Sequence, residues 1–139
     1  MAYRPAMAGD PLFLTCLTGA AAAHRLEPAV VLAILKAEGG KVGEASPNSN
    51  GTFDYGPMQV NTVNLPTLAR HWGVSRDVAL AMARDDLCSS LDAGSLLLRQ
   101  AIDLEGGDFW QGMGRYHSAT PAFKNRYLGR LAKIVARLN

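Results

Sequence analysis

One polar stretch, residues 41–55, interrupts a chain that is otherwise written in helical period, and this contrast limits the folds open to it. The stretch has no helical period and contains Asn50-Gly51, a strong turn signal that permits a short β-hairpin. Before it, Asp10-Pro11 reads as an N-cap followed by proline at the first helical position, and Leu12, Phe13, Cys16, Leu17, Ala20 and Ala23 follow at helical spacing. Glu27-Pro28 opens a second helix over 29–38, stopped by Gly39-Gly40. After the stretch, Gly56-Pro57 reads as the start of a helical run through Asn61, and residues 66–72 and 75–83 as two short helices separated by Gly73. Asp85 or Asp86 caps a longer helix over 87–104, ended by Gly106-Gly107. Asp108 caps a helix bearing Phe109, Trp110, Met113 and Tyr116, and a last helix from near Pro121 carries Phe123, Tyr127, Leu131, Ile134, Val135 and Leu138. The expectation is a mainly α fold, one domain over 1–139, with one long central loop. Long loops inside compact domains are usually functional or disordered.

Length and composition narrow the function classes. A chain of 139 residues, 48% hydrophobic and 19% charged, has room for one real core and is not of the disordered type. A net charge of +2 without a concentrated basic face argues against nucleic-acid binding, and the cations Lys124, Arg126, Arg130, Lys133 and Arg137 read as the solvated face of a helix. No stretch is apolar enough for long enough to span a bilayer. Arg4 and the apolar run from Leu12 to Ala23 imitate a signal peptide, but Asp10-Pro11 makes the run the first helix of a mature domain. Any export signal is then expected outside this chain. Cys16, Cys88 and three scattered histidines match no metal-ligand spacing, so neither metal nor cofactor is expected. The cysteines read equally well as buried thiols or as one disulfide closing a long loop, worth about 4 kcal/mol in the chain-entropy model.

Glu38 is the residue that carries most chemical information. It lies +7, +4 and +3 from Val31, Ile34 and Leu35, which puts it on the apolar stripe of its helix. It also stands at the helix C-terminus, where the macrodipole disfavours negative charge. Desolvation and dipole both favour the neutral acid, the form a general acid needs. Periodicity alone is equally consistent with a side chain that frays into solvent. Among the other acids, Asp103 and Glu44 read as solvated, and Glu105 ends a helix. Asp54 reads as a turn residue that is close enough in sequence to share a cleft with the next motif.

Three blocks then occur in order: Val31-Leu32-Ala33-Ile34-Leu35-Lys36-Ala37-Glu38, Asn48-Ser49-Asn50-Gly51-Thr52-Phe53-Asp54-Tyr55-Gly56-Pro57-Met58-Gln59-Val60-Asn61, and Tyr116-His117-Ser118. Over nearly the whole chain, from about Cys16 onward, this resembles the family 1 lytic transglycosylases, above all the small ones attached to type IV secretion and conjugation machines. The family's catalytic Glu-Ser corresponds to Glu38-Gly39, its Gly-Leu-Met-Gln to Gly56-Pro57-Met58-Gln59, and its Ala-Tyr-Asn to Arg115-Tyr116-His117. Gly39, Pro57, Arg115 and His117 are departures.

The resemblance implies a lysozyme-like fold of the goose type that cleaves the β-1,4 bond between N-acetylmuramic acid and N-acetylglucosamine in peptidoglycan strands. Glu38 is then the acid/base, Gln59 and Asn61 offer amides to the sugars, Tyr116 supplies a hydroxyl beside Glu38, Met58 packs under the site, and Tyr55 lines the cleft or caps the loop. His117 alters sugar contacts or is an ordinary surface residue. The resemblance also implies a Cys16–Cys88 disulfide, a periplasmic location, and possible partners in an envelope-spanning machine. Two rivals are a true muramidase, with Asp54 as its second carboxylate, and a non-catalytic glycan-binding module.

Overall fold

Proline stands in the first turn of α1 (Pro11–Ala23), α2 (Pro28–Glu38), α3 (Leu65–Trp72) and α7 (Pro121–Leu138), where its missing N–H costs nothing. The computed structural model describes residues 11–138, so Arg4 and the capping role of Asp10 lie outside the described residues. Polar side chains open three further helices. Ser75, Asp86 and Asp108 accept the N–H groups of Val78, Ser89 and Gln111 at the heads of α4 (Arg76–Asp85), α5 (Leu87–Leu104) and α6 (Phe109–His117). Asp86 is therefore the cap, while Asp85 takes a two-pronged bond from Arg84 at 2.7 and 2.9 Å.

The polar stretch does form a hairpin. Strand β1 (Ala45–Pro47) pairs antiparallel with β2 (Phe53–Tyr55), which pairs antiparallel with β3 (Val60–Asn61). Asn50-Gly51 lies in the first connection, closed by Asn48 N–H to the Thr52 carbonyl at 2.8 Å. The helical run expected from Gly56 through Asn61 is absent. Residues 56–59 turn, β3 follows, and a short 3-10 helix (Thr62–Asn64) leads into α3. Glycine-proline imitates a helix start, but Gln59 adopts a left-handed φ of 52°, and Val60 and Asn61 pair with Tyr55 and Asp54 instead.

Helix α5 is the element around which α1, α2, α4 and α6 are assembled. Leu91, Leu98 and Ile102 on it are fully buried, together with Val31 and Ile34 of α2, Leu68 of α3, and Tyr127 and Leu131 of α7. Each such aliphatic side chain contributes about 1.5–3 kcal/mol. Gly94 on the same helix leaves space that the Met58 side chain fills. Among the described residues no helix is long and apolar enough to cross a membrane.

Two cross-links hold this arrangement. Cys16 of α1 and Cys88 of α5 form a disulfide that spans 72 residues of sequence. At the other end of α5, Glu105 accepts Lys124 of α7 at 2.7 Å and faces Arg115 of α6 at 3.5 Å. The Lys124 hydrogen bond is the main cause that holds the Glu105 carboxyl below its usual range.

Replacing both cysteines by serine is expected to lower the unfolding free energy by about 4 kcal/mol, the loop-closure value for this separation, read by urea titration. For Glu105 the sign follows from a depressed folded-state value. Its contribution is complete above the ordinary glutamate range near pH 4.3 and is lost as pH falls through the lower folded value. Glu105→Gln should therefore melt below wild type at pH 7, and the gap should close in acid; a gap independent of pH would refute the linkage.

Candidate active site

Glu38 is the last residue of α2, directly below the buried Val31 and Ile34. The next residue ends the helix. Gly39 takes φ 64° and donates its N–H to Leu35, a left-handed C-cap that glycine adopts without strain. Where the family resemblance leads one to expect serine, this chain has the cheapest residue for the conformation. Gly40 then passes so close to the second motif that a β-carbon there would collide with the Gly56 carbonyl and the Gln59 amide. The end of α2 and the Gly56–Gln59 turn are thus in direct contact.

The Glu38 side chain is 9% exposed and borders a cleft of about 670 Å³. The cleft is bounded by the hairpin on one side, by Leu97, Gln100 and Leu104 of α5, and by Arg115, Tyr116, His117 and Phe123 on the other side. Its lining is rich in amides and hydroxyls, among them Asn48, Asn50, Thr52 and Asn64. Oε2 of Glu38 is buried and receives no hydrogen bond. Nδ1 of His117 stands 3.6 Å from it, near enough for charge interaction and beyond hydrogen-bond length. The His117 ring stacks parallel on Tyr127, with centroids 4.4 Å apart. The Tyr127 hydroxyl feels the Glu38 charge strongly, yet it too makes no hydrogen bond of acceptable geometry. Burial, and then the nearby Glu38, push the Tyr127 phenol upward. Burial, then Glu38 and Asp54, do the same to Tyr116. Both phenols stay protonated.

The expected site residues divide into two groups. Glu38, Gln59, Asn61 and Tyr116 border one cleft. Tyr55 and Met58 do not. Strand alternation explains Tyr55: Asp54 faces the cleft, so its neighbour turns to the core, where Tyr55 is buried. Met58 is fully buried against α5, and its N–H reaches Ser90 Oγ at 3.3 Å. Tyr55 and Met58 therefore support the floor and do not offer side chains to a ligand.

Asn61 also differs from the expectation. Its amide donates to Asp54 at 2.9 Å and Thr52 at 3.2 Å, and its carbonyl oxygen accepts from Val63 N–H at 3.0 Å, so its polar groups fasten the loop. The Gln59 amide donates to the Gly56 carbonyl at 3.0 Å. Its left-handed backbone is an uncommon conformation for a non-glycine residue and is the kind of strain found at ligand sites. Tyr116 lies in the field of Glu38, but its hydroxyl donates to the Met58 carbonyl at 2.7 Å and so ties α6 to the turn rather than orienting the acid.

His117 and Tyr127 are the neighbours of Glu38 that sequence reasoning undervalued. His117 stood at a motif position but read more readily as a surface residue, and Tyr127 read as one apolar position of the last helix. Only the crossing of α6 and α7 beside α2 brings them together. No protein-family model matches the chain, and no curated protein matches it.

The two tyrosines should respond in opposite ways to loss of the hydroxyl. Tyr116→Phe strands the buried Met58 carbonyl and is expected to cost about 1–3 kcal/mol in chemical unfolding. Tyr127→Phe removes a hydroxyl that has no hydrogen bond, so stability should hold or rise slightly. Equal losses in both variants would contradict this assignment of partners.

Proposed function

We propose that this protein is a peptidoglycan lytic transglycosylase acting on the MurNAc–GlcNAc β-1,4 bond, with Glu38 as its acid/base. The observation that carries this reading is a nearly buried carboxyl with one unpartnered oxygen, opening on a long polar cleft walled by amides and hydroxyls. A carboxyl so held is ready to engage an oxygen of a bound sugar, and the cleft suits an extended, hydroxyl-rich polymer. The order of the three sequence blocks, in register with the family's motifs, supplies the rest of the support.

In this mechanism Glu38 protonates the glycosidic oxygen as the GlcNAc leaving group departs. The resulting carboxylate then takes the proton of the muramoyl C6 hydroxyl, which attacks the anomeric carbon and closes a 1,6-anhydro ring. No water is consumed, and the proton that Glu38 gave is recovered. The substrate's N-acetyl group stabilises the positive centre, so one enzymic carboxylate suffices where ordinary glycosidases use two. A Cys16–Cys88 bond fits an oxidising compartment, and we assign the chain to the periplasm, opening the wall locally for a secretion or conjugation apparatus.

One observation favours a second reading. Asp54 borders the same cleft as Glu38 and acts electrostatically on the same Tyr116 hydroxyl, so a hydrolytic muramidase has a second carboxylate to hand. Mass spectrometry of digested peptidoglycan separates the two: anhydro-ended muropeptides mark transglycosylation, and reducing ends mark hydrolysis. Glu38→Gln is expected to lower the rate by at least about a hundredfold, the usual scale of a positioned acid/base. Unchanged wall clearance by that variant would defeat both readings and leave a binding module.

A further inference from the structure

Two of the three histidines that are scattered in sequence meet in space. His24, just past the end of α1, places Nε2 2.8 Å from Asp92 Oδ1, a separation of 68 residues in sequence. His71, on α3, places Nε2 3.1 Å from Asp92 Oδ2, 21 residues away. Two imidazoles, one from the turn after α1 and one from α3, thus converge, each by the same ring nitrogen, on one carboxylate of α5. The three ligand atoms all lie within 4.8 Å of one another.

From this convergence we infer that His24, His71 and Asp92 form a binding site for a divalent transition-metal ion, zinc foremost. Two imidazole nitrogens and a carboxylate oxygen are a donor set of the kind that holds zinc with a coordination position left for water. Tetrahedral zinc with these ligands places them about 3.3 Å apart, and the two histidine–carboxylate spacings, to separate oxygens of Asp92, lie within about half an ångström of that value.

Local support for the ligands is already in place. Trp72 donates its indole N–H to Asp92 Oδ2 at 2.7 Å, the kind of outer bond that orients a metal-binding carboxylate. Arg99 of α5 holds the carbonyls of His24 and Arg25, and Arg25 sits in a left-handed conformation with φ 57°. That bracket fixes the chain where His24 leaves α1. Access is also provided, because His24 is buried but the His71 side chain is 34% exposed.

The site is separate from the cleft, none of whose lining residues it shares. It adjoins the same two helices as the disulfide, with Cys88 one turn before Asp92 on α5 and Cys16 on α1, the helix that His24 directly follows. A bound ion therefore adds α3 to a pair of helices that is already cross-linked.

The test uses zinc chloride and the oxidised full chain. Native mass spectrometry and calorimetry should find one ion per chain. Ring NMR signals of His24 and His71 should move on zinc addition while those of His117 stay in place. His71→Gln, at an exposed ring, should keep the fold by circular dichroism and weaken zinc binding at least about tenfold, and Trp72→Phe should weaken it about tenfold. Asp92→Asn should abolish the one-ion complex. Absence of a stoichiometric ion, equal affinity in His71→Gln, or movement of the His117 signals instead would each overturn the site.

Discussion

Holding the Glu38 carboxyl almost out of water, with one oxygen lacking a hydrogen bond, works against folding, and much of the architecture answers to it. An unsatisfied buried polar atom costs about 1–3 kcal/mol, and more when charged. Against this stand the fully buried Val31 and Ile34 on the same helix, each worth about 1.5–3 kcal/mol. The disulfide, at about 4 kcal/mol, adds a margin of similar size. Helix α2 can therefore carry an unfavourable last residue because its preceding turns are anchored in the core. Gly39 then ends the helix without strain, so the carboxyl stays where the core puts it.

Helix α5 divides the molecule along its length. Its N-terminal half holds Cys88, Ser90 and Asp92, which fasten α1, the Met58 turn and α3 respectively. Its C-terminal half supplies Leu97, Gln100 and Leu104 to the cleft wall and is followed by Glu105, which gathers α6 and α7. The disulfide and the cleft wall thus lie on opposite halves of one helix. The Gly56–Gln59 turn is held between them by Ser90 from below and by Tyr116 from the α6 side. Its polar groups reach the cleft from a backbone whose own hydrogen bonds are satisfied.

What could be read from the sequence was what local chemistry determines. The starts of α5 and α6 were legible because an aspartate, Asp85 or Asp86 in one and Asp108 in the other, caps a neighbour three residues on, a relation that involves no tertiary contact. The hairpin was legible through Asn50-Gly51. The run after Gly56 was misread because a two-residue strand carries no period, and its partner β2 is what makes it a strand. Tyr55 and Asp54 could be assigned to opposite faces only once the register was known. The placing of His117 and Tyr127 against Glu38, and of two histidines against Asp92, depends on helix crossings between distant segments, on which periodicity is silent.

Two of the four departures from the pattern of the resembled family, Gly39 and His117, lie beside Glu38. Gly39 removes a side chain immediately after Glu38, and nothing lies near the space a β-carbon would fill. On the other side of the carboxyl, His117 lies flat on Tyr127 and directs Nδ1 toward Oε2. The stack fixes the imidazole plane, so the histidine meets the carboxyl with the ring edge that carries Nδ1. Tyr127, held protonated by burial, brings a second polar group to the same carboxyl from α7. The surroundings of Glu38 are therefore supplied by α6 and α7 and not by the residue that follows it on its own helix. Both rings ride on α6 and α7, the two helices that Glu105 joins.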